Sequence, residues 1–306
     1  MMSESAIEVF GLGQCSLDYI GKIDAFPPPD VKYELSETAI QGGGPVATAL
    51  AALSRWGLSC YFAGVVGDDL FGSMIEASLH GEGINTAGLV VRKGGASQFA
   101  FIAAEHLTGR RTIFWKRPSG TGIRPEEVDL SVLRRSRVFH TDGLFIEASL
   151  FAAKMARKAG VSVVVDAGTL REGMLDLARV SDCFITSEPF AHALTGAKDP
   201  LRACRMLKEM GPRLVGVTLG KAGYAAMVDG KFIEKAAYPV NAVDTTGCGD
   251  VFHAGFIYGL VNGWTMENSL DLGAWTAAQV SLQLGGRAGI PPLPALKDKY
   301  PLCPPE

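Results

Sequence analysis

The run Asp244-Thr-Thr-Gly-Cys-Gly-Asp250 constrains this chain more than any other stretch, because a helix signal follows it at once. Phe252, Phe256, Ile257, Leu260 and Val261 recur at helical spacing, and Gly263 supplies a stop, so the pattern predicts a loop feeding an amphipathic helix. Gly247 and Gly249 allow left-handed backbone and close approach of a ligand. The amides of Gly247, Cys248 and Gly249 then stand at a helix N-terminus, where partial positive charge collects and anions bind. Asp250 stands beside them. It can be read as a helix cap with two glycines shaping a turn, or as an acid that takes a proton from a hydroxyl next to a bound phosphate. A carboxylate beside a phosphate is repelled by it, so a purely structural acid is costly there. The doubled glycine and the preceding Asp-Thr-Thr also exceed what a cap requires.

The rest of the chain alternates strand-like and helix-like runs, the pattern of a mainly parallel sheet covered on both faces. Strands are predicted at 7–12, 61–66, 137–140, 161–165, 183–186 and 214–218, with helices at 45–53, 148–158, 201–210 and 266–284. Two short strands, Gln98–Ala104 and Arg111–Trp115, flank a turn and read as a hairpin. The segment 21–40, with Pro27-Pro-Pro29, reads as loop and edge strand.

Composition excludes several classes. A net charge of −3 without a basic block leaves nucleic acid no electrostatic footprint. No run of 18 apolar residues is present to span a membrane, and residues 1–8 lack the basic start and apolar core of a signal peptide. Six scattered cysteines without a CxxC pair argue against zinc and fit reduced thiols, so a cytoplasmic enzyme is expected. Lys22, Lys221 and Lys231 each follow Gly, but no Ser or Thr comes next, so there is no Walker A loop. The Gly11–Ser16 run lacks the last glycine of a dinucleotide fingerprint.

Asp244–Asp250 resembles the DTxGxGD signature of the PfkB carbohydrate kinases, the ribokinase-like family. Three further segments resemble that family in order: Gln41–Gly57 its di-glycine signature and following helix, Gly64–Gly72 its GxxGxDxxG segment, and Val217–Gly223 its nucleotide-binding strand and turn. The resemblance covers nearly the whole chain. It implies one α/β domain over residues 1–306, a ribokinase-like three-layer α/β/α sandwich with a mainly parallel central sheet. A small β-sheet lid is expected from about 14–41 and 95–117. It implies phosphoryl transfer from ATP, with Mg²⁺, to a hydroxyl of a sugar or sugar-like molecule, a reaction governed by positioning and charge stabilisation.

Carried over residue by residue, the resemblance makes Asp250 the general base and puts Gly247, Cys248 and Gly249 on the migrating phosphoryl group. Asp18, Gly42, Gly43, Gly44 and Asp142 would bind the sugar. Thr218, Gly220, Lys221, Gly223 and Arg287 would bind ATP. Asp244 and Thr246 stand where some members hold a monovalent cation such as K⁺, and Glu188 where magnesium is reached through water. His140 reads instead as a packed core histidine. The chain departs from the family at Thr48, where an Asn is usual, at Ser187-Glu-Pro-Phe190 in place of NxxE, and at Asp166–Arg171 in place of DPNxR. A nucleoside kinase of the same fold and a non-catalytic sugar-binding or scaffold homologue stay open beside the sugar kinase. A homodimer joined through the lid is expected by resemblance and because open sheet edges invite pairing.

Overall fold

The computed structural model describes residues 7–300, so Cys303 and residues 1–6 lie outside the described residues. The strands are β1 Val9–Leu12, β2 Ser16–Ile23, β3 Glu37–Gly43, β4 Cys60–Gly67, β5 Asn85–Arg92, β6 Phe99–Glu105, β7 Arg111–Lys116, β8 Val138–Thr141, β9 Ser162–Ala167, β10 Cys183–Ser187, β11 Leu214–Thr218, β12 Tyr224–Val228 and β13 Lys231–Lys235. Nine of them form one sheet in the order β13-β12-β11-β10-β9-β8-β1-β4-β5, and four form a second in the order β3-β2-β6-β7. In the large sheet β11 through β5 run parallel, and only β12 and β13 are antiparallel to their neighbours.

The period of two in an extended chain sends alternate side chains to opposite faces, and here both faces are covered. Val9 belongs to the core under helices Pro45–Arg55, Leu70–Gly81, Cys248–Val261 and Met266–Val280. Its neighbour Phe10 belongs to the core under the helices spanning Ile146–Lys158, Met174–Arg179 and Pro200–Lys208. This is the expected three-layer sandwich, and the β2-β3-β6-β7 sheet is the expected lid. The predicted hairpin is β6 and β7, paired antiparallel from Phe99↔Lys116 to Ala104↔Arg111. Among the described residues no helix is long and apolar enough to cross a membrane.

The order of strands places the site. From β1 the chain moves outward to β4 and β5, then returns to the other side of β1 at β8 and continues to β13. The crevice where the order reverses lies at the C-terminal ends of β1 and β8, where sheets of this kind bind ligands.

One element differs from its sequence reading. The Cys248–Val261 helix is not amphipathic: Val251 through Gly259 are all buried, and Phe256 and Ile257 are 0% exposed. It lies between helices Pro45–Arg55 and Met266–Val280, so no face of its middle turns, 251–259, meets water. Burying a side chain of that size contributes about 1.5–3 kcal/mol. The close approach is made by small residues. A Cβ at Gly255 would lie 2.8 Å from Gly273 Cα, and one at Gly259 would lie 2.5 Å from Ser269 Oγ. Gly255→Ala is therefore expected to force the two helices apart and cost about 1–3 kcal/mol. Urea unfolding with an unchanged m-value reads this; an unaltered midpoint would show that the helices slide apart freely.

Candidate active site

A cavity of about 310 Å³ opens at the reversal point, between the sheet and the lid. Gln14, just beyond β1, Asp142, just beyond β8, and Asp166, in β9, line the sheet side. Ser16, Asp18, Gln98, Ala100, Ile102, Arg111, Ile113 and Trp115 line the lid side, and Thr246, Gly247 and Asp250 close the floor.

The floor is built by one buried carboxylate. Asp244 is 0% exposed. Its Oδ1 accepts from the Thr246 amide (2.9 Å) and hydroxyl (2.7 Å), and its Oδ2 accepts from the Gly285 amide (2.9 Å). These bonds hold the loop against residues 285–286. Gly247 caps the helix in the left-handed region (φ 76°), and a Cβ there would meet Gly286 Cα at 2.5 Å. Only glycine satisfies both demands. The first amide with a carbonyl partner in the helical pattern is Val251, which donates to Gly247 O (2.9 Å). The amides before it are the orphans of a helix start. Cys248 spends part of its donor on a turn bond to Thr245 O (3.3 Å), which leaves Gly249 and Asp250 as the freer pair. A Cβ at Gly249 would meet nothing within 4 Å, so there is open space above this first turn. Orphan amides, a helix start and open space fit a phosphate.

Asp250 sits in the first turn rather than at the cap, and its carboxylate faces the cavity. Burial pushes its pKa up to about 7, and the neighbouring Asp166 adds to this, while the Arg111 guanidinium pulls it down. Asp142 is pushed up to about 6 by burial, against the bonds it accepts from the amides of Gln14 (2.8 Å) and Leu144 (2.9 Å). Asp18 is also raised by burial, and Ser16 Oγ donates to it at 2.7 Å.

The structure redistributes several expected roles. At Gly43 the missing side chain makes room for Asp18, whose Oδ2 would lie 1.9 Å from an added Cβ. At Gly42 the room is taken by Ser78 and Arg287, and only Gly44 lines the cavity. Arg287 is buried behind Gly42, donates to Ser78 Oγ (3.1 Å), and does not line the cavity. Thr218, Gly220, Lys221 and Gly223 lie at the C-terminal end of β11, two strands from β9. Glu188 is exposed at the start of the helix after β10. Thr48 is buried and not on the cavity wall. His140 is packed in the core, with Nδ1 3.2 Å from Val164 O and burial holding its pKa down at about 3.

Arg111, Gln98, Asp166 and Arg171 also line the cavity, and the sequence reading gave none of them a role. Arg111 reaches from the lid to Thr245 Oγ1 (2.8 Å), and Thr245 in turn donates to Gly109 O (3.2 Å). The hairpin is thereby tied to the phosphate loop. Asp166 Oδ2 lies 3.4 Å from His253 Nδ1, which also meets Gly249 O at 2.8 Å. The one local signal for Asp166 and Arg171 was the altered DPNxR segment.

The fold and the loop together define a class of small-molecule kinase, and sequence comparison agrees. The pattern of the pfkB family of carbohydrate kinases matches residues 6–293, so the chain belongs to that family. It is 29% identical to fructokinase-2 of Zea mays over 69% of this chain and 68% of that one. It is 25% identical to ribokinase of Haemophilus influenzae over 92% of this chain and 94% of that one. The fold is shared with Arabidopsis thaliana ribokinase complexed with ribose and ATP, at a TM-score of 0.83 and 23% identity, covering 96% and 98% of the two chains.

The carboxylate cluster has a measurable consequence. In the free protein the Asp250 carboxyl carbon, followed by NMR, is expected to titrate near pH 7. Asp166→Asn removes a like charge and is expected to lower that midpoint. A midpoint unmoved in Asp166→Asn would show that the two acids do not sense each other.

Proposed function

We propose that this kinase moves the terminal phosphoryl group of ATP to a hydroxyl of a sugar or sugar-like polyol, with Asp250 as general base. One observation carries the reading: Asp250 lines the cavity in the same helical turn as the orphan amides and the open space over Gly249. A hydroxyl in the cavity is then within reach of a base on one side and of an anion cradle on the other. Proton transfer is late in a loose transition state, so a carboxylate suffices as base. The amides of Gly249 and Asp250, with Cys248 and Gly247 shaping the turn, would stabilise charge on the migrating group. Bound ATP supplies the phosphoryl group and brings magnesium, which keeps several waters. Thr218, Gly220, Lys221 and Gly223, beyond β11, would take the nucleotide's far end, with Glu188 reaching the metal through water. Asp18 and Asp142 would accept hydrogen bonds from acceptor hydroxyls. A monovalent cation at Asp244 and Thr246 would have to share oxygens already bonded to Thr246 and Gly285.

The polar lining favours a polyol over a nucleoside. Pro45, Ala100, Ile102, Ile113 and Trp115 are the apolar side chains of a wall whose other side chains are amides, hydroxyls, carboxylates and guanidiniums. The placement of Asp250 speaks against a protein that only binds. Asp250→Asn is expected to lower turnover about 100-fold or more while ATP still binds, read as magnesium-dependent ADP release over a sugar panel. Near-normal turnover in that variant would remove Asp250 as the base.

The lid also supports pairing with a second copy. Its edge strands β3 and β7 are open, and Ile40, Phe114 and Phe26 on and beside them are 55%, 51% and 52% exposed. Light scattering is expected to give a dimer that Phe114→Glu dissociates; a monomer in the unmodified protein rejects this pairing.

A further inference from the structure

Two side chains of the cavity hold buried polar atoms that find no partner within the protein, and phosphoryl transfer as described uses neither. Arg171 lies on the loop after β9. Its Nε is buried without a hydrogen-bond partner, and Nη1 makes only a long bond to the Asp142 carbonyl (3.4 Å). It forms no ion pair with any described residue, although four aspartates share the cavity. On the lid side, Gln98 is 2% exposed and its Oε1 is likewise buried and unpartnered. Leaving a buried donor or acceptor unmet costs about 1–3 kcal/mol, and more when the group is charged. Groups kept at such a cost in a ligand cavity are matched when the ligand arrives. A guanidinium fork matches a carboxylate in a planar, two-bonded pair, and an amide matches a hydroxyl, which both donates and accepts.

We propose that the acceptor is a polyhydroxy acid, its carboxylate held by Arg171 and one of its hydroxyls by Gln98. This deepens the kinase reading and rests on it. Charge selects a carboxylate over a phosphate monoester. Asp18, Asp142, Asp166 and Asp250 line the same space, and the second guanidinium there, Arg111, is tied to Thr245 beside the phosphate loop. One cation is left for the acceptor. Repulsion from the aspartates grows with ligand charge, so a dianion meets about twice the penalty of a monoanion against the same single arginine. A cavity of about 310 Å³ also sits at the small end of ligand sites, which suits one small acid.

The test is magnesium-dependent ADP release with matched acceptors: aldonates and 3-deoxy-2-ketoaldonates, the corresponding neutral aldoses and ketoses, and their phosphate monoesters. One acid is expected to exceed its neutral counterpart in kcat/KM by about 10-fold or more. Arg171→Gln is expected to raise KM for that acid about 10–100-fold, the range for hydrogen bonds to charged groups, and more than it lowers kcat. Arg171→Lys is expected to recover part of the loss, and serves alone if the Gln variant does not fold. Preference for a neutral sugar or for a phosphate monoester overturns the proposal, as does an unchanged KM in Arg171→Gln and Arg171→Lys. Thermal shift with the acids in the absence of nucleotide separates the two claims. Phosphorylation of neutral sugars alone, lost in Asp250→Asn, keeps the kinase reading and removes the acid. Acids that stabilise the unmodified protein but not Arg171→Gln, with no ADP release from any acceptor, keep the anion site and remove the reaction.

Discussion

The buried carboxylate of Asp244 is the constraint on which the site depends. A fully desolvated carboxylate is tolerable only when its lone pairs are filled, and Asp244 fills them with Thr246 and with the Gly285 amide. Those bonds fix the loop before Gly247 against a loop some forty residues later in the chain. With both ends held, Gly247 can turn into the left-handed region against Gly286, and the helix must begin at Cys248. The direction of its first amides follows, and so does the place of Asp250. The helix itself is enclosed by two neighbours and cannot tilt to relax the loop. A rigid element thus carries the reactive acid, the arrangement that preorganised charge stabilisation needs.

The aspartates around the cavity show what this rigidity is spent on. Asp18, Asp142, Asp166 and Asp250 are held together without a counter-charge of equal size; burial raises the pKa values of Asp18, Asp142 and Asp250, and repulsion from neighbouring acids adds to it at Asp142 and Asp250. The fold sustains this through contacts that fix three of the acids: backbone amides on Asp142, the Ser16 hydroxyl on Asp18, and His253 beside Asp166. Burial, with the neighbouring acids adding to it, brings Asp250 to about 7, close to where a base can be ionised yet still hold a proton. Structure and chemistry therefore pull in opposite directions at one place, as is usual for a reactive site.

Much of this was legible in the sequence because it is local. The loop at 244–250, the parallel strands and the β6–β7 hairpin each depend on residues a few positions apart, and each appears close to where the pattern put it. The amphipathic reading of Cys248–Val261 failed for a physical reason. Gly255 and Gly259 lie between the apolar residues of that pattern, and they are the contact face for a second helix that the local pattern cannot show. Gly42 and Gly43 were misleading in the same way. A run of glycines signals room, and only the three-dimensional fold shows that Asp18 and Arg287 fill it. Arg287 read as an ATP ligand because nothing near it in sequence announces Ser78 as its partner.

The residues the sequence did not offer as functional share one property: they meet the site across long stretches of chain. Gln98 and Arg111 come from the lid, and Asp166 and Arg171 from the end of β9 and the loop after it. No spacing rule joins them to Asp250. What joins them is the reversal of strand order at β1, which brings the ends of β8 and β9 beneath the sheet formed by β2, β3, β6 and β7. The lid is therefore part of the site's chemistry as well as its cover, since Ser16, Asp18, Gln98 and Arg111 of the polar wall belong to it. The bond from Arg111 to Thr245 makes the same point at the level of one contact: the strand that shields the acceptor also touches the loop that would hold the phosphate. Any motion that lifts β7 from the cavity removes a guanidinium from the neighbourhood of Asp250 at the same time, so enclosure of the acceptor and the charge state of the acid are physically one variable.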